Sequence, residues 1–460
     1  MLHRNVDLYG ELLAKVLFPG WEWIRGRETY ALMAYLDRTQ RAPYDELFAA
    51  QAGALRRLVR HAYRHTDHYR TRMHAAGLTP DDIRTPEDLA RFPLLEKLDA
   101  RASDRDRTSA VPPFPRVVKM TSGTTGAPMI VRYNQESRIW RDAVRWRGYG
   151  WAGYRPGMKA FHYWGASATP PTGWRHYKQE LDHRLRRDHY VDCTPRGDAD
   201  LERVVAELRR ERPDVIVAYT QGAAALARYI NRTGARSWGT IPVICGAERL
   251  WPHDRTAMEQ AFGPAVFESY GSREFMLIGH ECEVHDGLHV AMENLIVEIV
   301  VREHGGVRAA RPGEIGELVV TDLHNLSHPV IRYVIGDCAT ARAPGVCACG
   351  RTLARIGAVE GRVTDTLRDG GGNAVNGLVV SILFASIAEH ARQFQVFQKK
   401  NGDLTLKVVP MRAGGMPRDV EQLTYQWIGR YLPGVKTTIE YLDDIPAGAA
   451  GKRHVVVVEK

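Results

Sequence analysis

Apolar residues recur at three- and four-residue spacings from Tyr44 to His65, with arginines on the opposite face, and this pattern predicts an amphipathic helix. The chain up to about residue 100 reads the same way, as a helical packing layer. Pro80, Thr85-Pro86-Glu87 and Pro93 punctuate it with turn and helix-start signals. From about 118 to 340 short apolar runs alternate with helical ones: Val131 and its neighbours, Val215 to Tyr219, Ile241 to Cys245, and Val266 to Tyr270. Each of the last three follows a helical stretch and ends in small or polar residues, the rhythm of parallel strands joined by crossover helices. In such sheets ligands bind beyond the carboxyl ends of the strands, so the chemistry is expected there.

Between 290 and 340 the runs Leu295 to Val301, Glu317 to Asp322 and Ile331 to Val334, set apart by Gly- and Pro-containing turns, predict antiparallel strands. A boundary is expected near 362. Beyond it come Gly370-Gly371-Gly372, a helix over 377–391, strands near 394–398 and 403–409, a helix over 416–431, and strands near 436–441 and 453–459. The expected fold class is therefore α/β and α+β. A large N-terminal domain spans 1–362, with helices over 1–100 and nucleotide-binding sheets over 118–340, and a small α+β domain spans 363–460. No internal repeat is apparent.

With 460 residues, 44% apolar and 25% charged, the chain can bury a large core, which excludes a disordered or disulfide-stapled class. The net charge of +9 favours phosphate-bearing partners without naming one. The longest strongly apolar stretch, Leu378 to Ala388, falls short of the roughly 20 residues of a membrane span, so no transmembrane segment is expected. Glu11 and Lys15 interrupt the amino-terminal apolar run, which makes a poor secretory signal. Six cysteines fit a reducing compartment, and the cytoplasm is the expected location.

Thr121-Ser122-Gly123-Thr124-Thr125-Gly126 packs hydroxyls and glycines into six positions, preceded by Lys119. Glycines let backbone N–H groups approach an anion and hydroxyls add donors, so the segment reads as a phosphate-cradling loop. It is no Walker A loop, because no Gly-Lys-Ser/Thr follows.

Further segments follow in order: Gly246-Ala247-Glu248, Tyr270-Gly271-Ser272-Arg273-Glu274, Arg332-Tyr333-x-x-Gly336-Asp337, Gly361-Arg362 and Gly451-Lys452. Together with the loop at 121–126 the set resembles the adenylate-forming superfamily of acyl-CoA synthetases. Within it the likeness is greatest to the phenylacetate–CoA ligase branch and the related capsular polysaccharide biosynthesis proteins, and it covers nearly the whole chain. Arg273 stands where the family has Thr, and Thr364 where an aspartate is common.

The resemblance implies an adenylate-forming fold and a role for each segment. Thr121, Ser122, Gly123, Thr124, Thr125 and Gly126 would hold the β- and γ-phosphates of ATP. Gly246, Ala247 and Glu248 would lie along adenine, with Tyr270, Gly271 and Ser272 beside it and the Tyr270 ring stacked on the base. Glu274 would help bind Mg²⁺ and so serve catalysis. Asp337 and Arg362 would hold the ribose. Lys452, a catalytic ammonium on the small domain, would meet the charge that builds on the carboxylate and α-phosphate. The implied activity is ATP-dependent activation of a carboxylic acid, with an aryl acid favoured, followed by transfer to CoA. The rival readings are an amine, hydroxyl or carrier-protein acceptor, a non-catalytic homologue, and a basic nucleic-acid binder, which the spread-out charge disfavours. The expected partners are the acid and CoA or another acceptor, with a homodimer admitted and neither nucleic acid nor membrane.

Cys282, His289, Cys347 and Cys349 supply three thiols and an imidazole, a reasonable tetrahedral structural Zn²⁺ shell, with His285 and His280 competing for the nitrogen position. Zinc-binding members of the phenylacetate ligase branch carry similar segments, which favours His289. Trp164, Tyr219 and Gly246, at strand ends, are candidates to line an acyl pocket, and core packing explains the two aromatics equally well.

Overall fold

A computed structural model describes residues 7–120, 130–165, 173–194, 197–303, 306–362, 367–372, 374–375, 389–446 and 455–459, with isolated positions between 380 and 387. The phosphate loop at 121–126 and Gly451-Lys452 therefore lie outside the described residues. So do the aspartate-to-threonine difference at 364 and most of the helix expected over 377–391, whose last position belongs to the strand Ala391–Gln398.

Among the described residues one twelve-stranded sheet runs through the large part of the chain. Asp188–Asp192, Ala160–Trp164, Val215–Tyr219, Val243–Gly246 and Val266–Ser272 lie side by side and parallel. Their side chains alternate between two cores. Ile216, Ala218, Val243 and Cys245 face the helices Asp198–Glu211, Thr220–Thr233 and Pro252–Phe262. Val215, Val217, Ile244 and Phe267 face the helix Gln135–Trp151 through Trp146 and Tyr149. Burial on both faces is why these strands read as continuous apolar runs.

Past Val266–Ser272 the sheet turns antiparallel through Met276–Glu281, Leu288–Val290, Arg355–Arg362, Tyr333–Ala341, Ile315–Asp322, Leu295–Glu303 and Gly306–Ala309. The helix Tyr44–His65 covers this half, burying Leu47, Leu55, Leu58, Val59 and Ala62 as its periodicity predicts. Its buried Gln51 donates to the carbonyls of Met292 (3.0 Å) and Leu295 (2.8 Å), so the one polar group on that face is satisfied.

The strand expected at Ile331 to Val334 begins at Tyr333 and continues to Ala341. Arg332 has a left-handed φ of 52° and leaves the ladder. Its guanidinium instead grips Glu298 (2.7 and 3.1 Å) and the carbonyl of Phe92 (2.5 Å), pinning the sheet to the helical layer. The first turns of that layer also differ from expectation. The segment Leu8–Ile24 buries Gly10 and Leu13 but leaves most of its large apolar side chains exposed, and Thr29–Thr39 is the first helix to join one of the hydrophobic clusters.

Residues 391–458 build a separate four-stranded sheet, ordered Thr437–Tyr441, Leu404–Pro410, Ala391–Gln398, Val456–Val458, with the helix Arg418–Tyr431 completing its core. Trp251, from the large part of the chain, packs against this core. The Arg249 guanidinium lies 3.9 Å from the centre of the Trp251 ring and pairs with Glu360, the residue before Gly361-Arg362.

Candidate active site

The parallel strands end together. Tyr219 lies opposite Gly246 in the ladder, and Cys245 opposite Glu268, which brings Trp164, Tyr219, Gly246 and Tyr270 to one edge of the sheet. The Trp164 and Tyr219 rings stand 4.4 Å apart at an interplanar angle of 30°. A β-carbon added at Gly246 would sit 3.1 Å from Ser269 Oγ and 3.4 Å from the Trp164 ring, so a larger residue there would crowd the edge. All three candidates for the acyl pocket thus share one neighbourhood.

The turn after Gly246 is held from several sides. Ala247 adopts φ 68°, a left-handed conformation that a residue with a β-carbon rarely takes. Thr220 Oγ1 donates to the carbonyls of Glu248 (2.8 Å) and Gly246 (3.3 Å). The Glu248 carboxylate accepts from the Gln221 N–H (3.1 Å) in the first turn of Thr220–Thr233, where the helix dipole favours a negative charge. The Leu250 N–H donates to Glu268 (3.1 Å), whose carboxyl is pushed up to about 7 by loss of water around it and by the Glu281 carboxylate.

Tyr270 and Asp337 come from strands separated by 67 positions in sequence, yet the Tyr270 hydroxyl donates to the Asp337 carboxylate at 2.7 Å. Gly336 makes this possible, because the backbone takes φ 89° immediately before the aspartate. Arg362 is the ladder partner of Asp337. Ser272 Oγ accepts from the Phe275 N–H (3.3 Å) and closes the tight hairpin that carries Arg273 and Glu274. The strands Val117–Met120 and Ile130–Tyr133 pair up to Met120 and Ile130, the residues on either side of 121–129.

One residue of this neighbourhood is not among those picked out from sequence. Arg141, on the helix Gln135–Trp151, is buried and gives every nitrogen a partner. Nε donates to Ser137 Oγ (3.0 Å), Nη2 to Asp322 (2.5 Å) and Nη1 to the backbone carbonyl of Glu274. The guanidinium also lies 4.5 Å from the centre of the Tyr133 ring, in the strand Ile130–Tyr133. A single planar cation therefore joins the strand pair that flanks 121–129 to the Glu274 hairpin. Arg141→Lys keeps the charge but not the fork, and is expected to lower kcat/KM for ATP about 10–100-fold, mostly through KM. Equal rises in KM for ATP and for the acid, with a lowered Tm, would assign Arg141 to packing alone.

The second cluster is equally compact. The ligand atoms of Cys282, His289, Cys347 and Cys349 all lie within 4.8 Å of one another. Cys282 and Cys347 sulfurs are 3.8 Å apart, and Cys349 Sγ is 3.5 Å from His289 Nε2. His289 Nδ1 faces the Leu353 carbonyl at 3.3 Å, which leaves Nε2 for the cluster. Burial holds the His289 imidazole down at about 4, so it is neutral, the ligand form. Burial also pushes the Cys282 thiol up to about 12, so it keeps its proton until a bound cation favours the thiolate. The donor set thus fits Zn²⁺. The two competing histidines point elsewhere: His285 Nδ1 faces Glu281 at 3.1 Å, and His280 Nδ1 faces the Glu281 carbonyl at 2.6 Å.

No protein-family model matches the sequence. The chain is 31% identical to the phenylacetate–coenzyme A ligase of Pseudomonas putida over 381 residues, 81% of this chain and 83% of that protein. It is 33% identical to the phenylacetate–coenzyme A ligase of Escherichia coli (strain K12) over 341 residues, covering 72% and 75%. The fold matches a crystal structure of 2-hydroxyisobutyryl-CoA ligase in the postadenylation state with a TM-score of 0.66, at 20% identity and 92% coverage of both chains. On these identities the chain belongs to the phenylacetate–coenzyme A ligase family of adenylate-forming, ATP-dependent acid–thiol ligases.

Proposed function

We propose that this chain activates an apolar, aryl-type carboxylic acid with Mg·ATP, releases pyrophosphate, and passes the acyl group from AMP to the thiol of CoA. The observation that supports this most is the Tyr270–Asp337 hydrogen bond beside the Gly246–Glu248 turn, which sets a ring for a base and a carboxylate for a sugar at one sheet edge. Loop 121–126 would grip the phosphates with backbone N–H groups and hydroxyls, and Asp337 and Arg362 would orient the ribose. Bound Mg²⁺ near Glu274 would offset the charge of the triphosphate. Trp164 and Tyr219, paired against Gly246, give the acid an aromatic wall, in keeping with the phenylacetate named for both relatives.

The split at 362 is part of the same reading. Residues 363–460 would turn as a small domain, taking Lys452 away after adenylation and admitting the thiol. Such a turn must break the Trp251 contact with the small core, and the Arg249–Glu360 pair sits where the chain would hinge. We assign zinc at the cysteine cluster a structural role, because four protein ligands leave no open position. None of the six cysteines is disulfide-bonded, in keeping with the cytoplasm.

The test is a pyrophosphate-release screen over aryl, fatty and amino acids, with and without CoA. The expected result is release with aryl acids and a thioester product only when CoA is present. Release that CoA leaves unchanged, with a product formed on an amine, hydroxyl or carrier protein, would replace CoA as acceptor. Silence with every acid would mark a non-catalytic homologue.

A further inference from the structure

From sequence the chain is expected to have no membrane partner, and among the described residues no helix is long and apolar enough to cross a bilayer. Lying on one is a different matter. Among its described side chains the helix Trp174–Arg186 contributes no buried residue to the protein. Its apolar residues nevertheless fall in a single stripe, Trp174, Tyr177, Leu181 and Leu185, at spacings of three and four. Trp174 is 79% exposed and Tyr177 70%. A helix normally buries such a stripe, and none of the described residues covers this one.

A second stripe lies against the end of the first. In Leu8–Ile24, Leu8, Leu12 and Val16 follow at four-residue spacing and lead to Trp23 and Ile24; Leu8 is 77% exposed, Trp23 81%. Tyr9 donates to the Leu185 carbonyl (2.9 Å), Asp7 pairs with Arg187, and the Arg186 guanidinium lies 5.9 Å from the centre of the Phe18 ring, so the two segments form one surface. Summed over both segments, the exposed apolar side chains amount to on the order of 1,000 Å².

The charges decide what covers it. Over 174–187 five Arg and Lys stand against Glu180 and Asp182, and over both segments, 7–28 and 174–187, eight stand against six Asp and Glu. The carboxylates of the surface are largely matched within the chain: Glu11 to Lys15 (2.6 Å), Glu22 to Arg27 (3.1 Å), Asp182 to Arg186 (3.0 Å). Lys178, Arg184 and Arg25, and on the acidic side Glu180 and Glu28, have no ion pair among the described residues. A second copy docked face to face would bring this basic rim against its own duplicate. An anionic lipid surface takes both parts, with indole and leucine side chains in the headgroup boundary and cations on the phosphates.

We propose that this face docks the enzyme on anionic membrane surfaces. In co-sedimentation of the full chain, vesicles of phosphatidylcholine with phosphatidylglycerol are expected to pull the protein down, and pure phosphatidylcholine vesicles and high salt to release it. Trp23→Ser with Trp174→Ser is expected to lower the partition coefficient at least about tenfold, with activity in solution unchanged. Lys178→Glu with Arg184→Glu should remove the preference for anionic lipid. The proposal is overturned if the protein stays in the supernatant with both kinds of vesicle, or if both variants bind like the parent. It is equally overturned by a concentration-dependent dimer in sedimentation velocity that the tryptophan variant abolishes, which would make a second copy the cover.

Discussion

Lys452→Ala is expected to lower acid-dependent ATP–pyrophosphate exchange about 10²–10³-fold, the usual loss when one preorganised donor is taken from a developing charge. In the first half-reaction a carboxylate oxygen approaches the α-phosphorus while negative charge gathers on the phosphate. An ammonium on a long mobile stem lowers that barrier by Coulomb attraction in a site shielded from water. Lys452 lies outside the described residues, four positions before the strand Val456–Val458, which is anchored in the small sheet beside Ala391–Gln398. The second half-reaction needs no such charge. The variant should therefore convert pre-formed acyl-adenylate to thioester at a near-parental rate. Parallel loss of both steps would mean a damaged fold, and near-normal exchange would remove Lys452 from the mechanism.

Purified protein is expected to carry about one zinc per chain, and Cys282→Ser with Cys347→Ser to lose it together with a large part of the stability of the sheet. The reason is position. Cys282 follows the strand Met276–Glu281, His289 lies in Leu288–Val290, and Cys347 and Cys349 precede Arg355–Arg362, three neighbouring strands. A metal there staples strand ends whose own polar residues are buried: His280, Glu281 and His289 all lie inside. The same strands lead to Asp337 and Tyr270, so the loss should reach ATP binding through the sheet. Elemental analysis and thermal unfolding before and after chelation check this. Absent metal, with all four side chains free to react in native protein, would rule the site out.

How much of this was legible in the letters follows from the physics of each element. The helix Tyr44–His65 and the strand Val215–Tyr219 occur over the residues their patterns mark, because one-faced and two-faced burial leave different apolar periods. Met276–Glu281, Leu288–Val290 and Arg355–Arg362 are strands that no pattern announces, since histidine, glutamate and arginine occupy positions that a short strand gives to apolar residues. Tyr333–Ala341 runs through Gly336-Asp337, a pair that reads as a turn. Three thiols and an imidazole suggested the cluster of Cys282, His289, Cys347 and Cys349, and family likeness favoured His289; the fold brings the four together and turns His285 and His280 to Glu281. Arg141 was hidden because an arginine on a helix reads as a solvated face. Its partners Glu274 and Asp322 lie 133 and 181 positions away.

The central claim is that the carboxylate oxygen of the acid attacks the α-phosphorus of ATP. Acid labelled with oxygen-18 in its carboxylate tests this in a single turnover with CoA. Transfer of one labelled oxygen to the phosphate of AMP is the predicted outcome. Label appearing in inorganic phosphate, with ADP as the nucleotide product, would mean attack on the γ-phosphorus and would contradict the account.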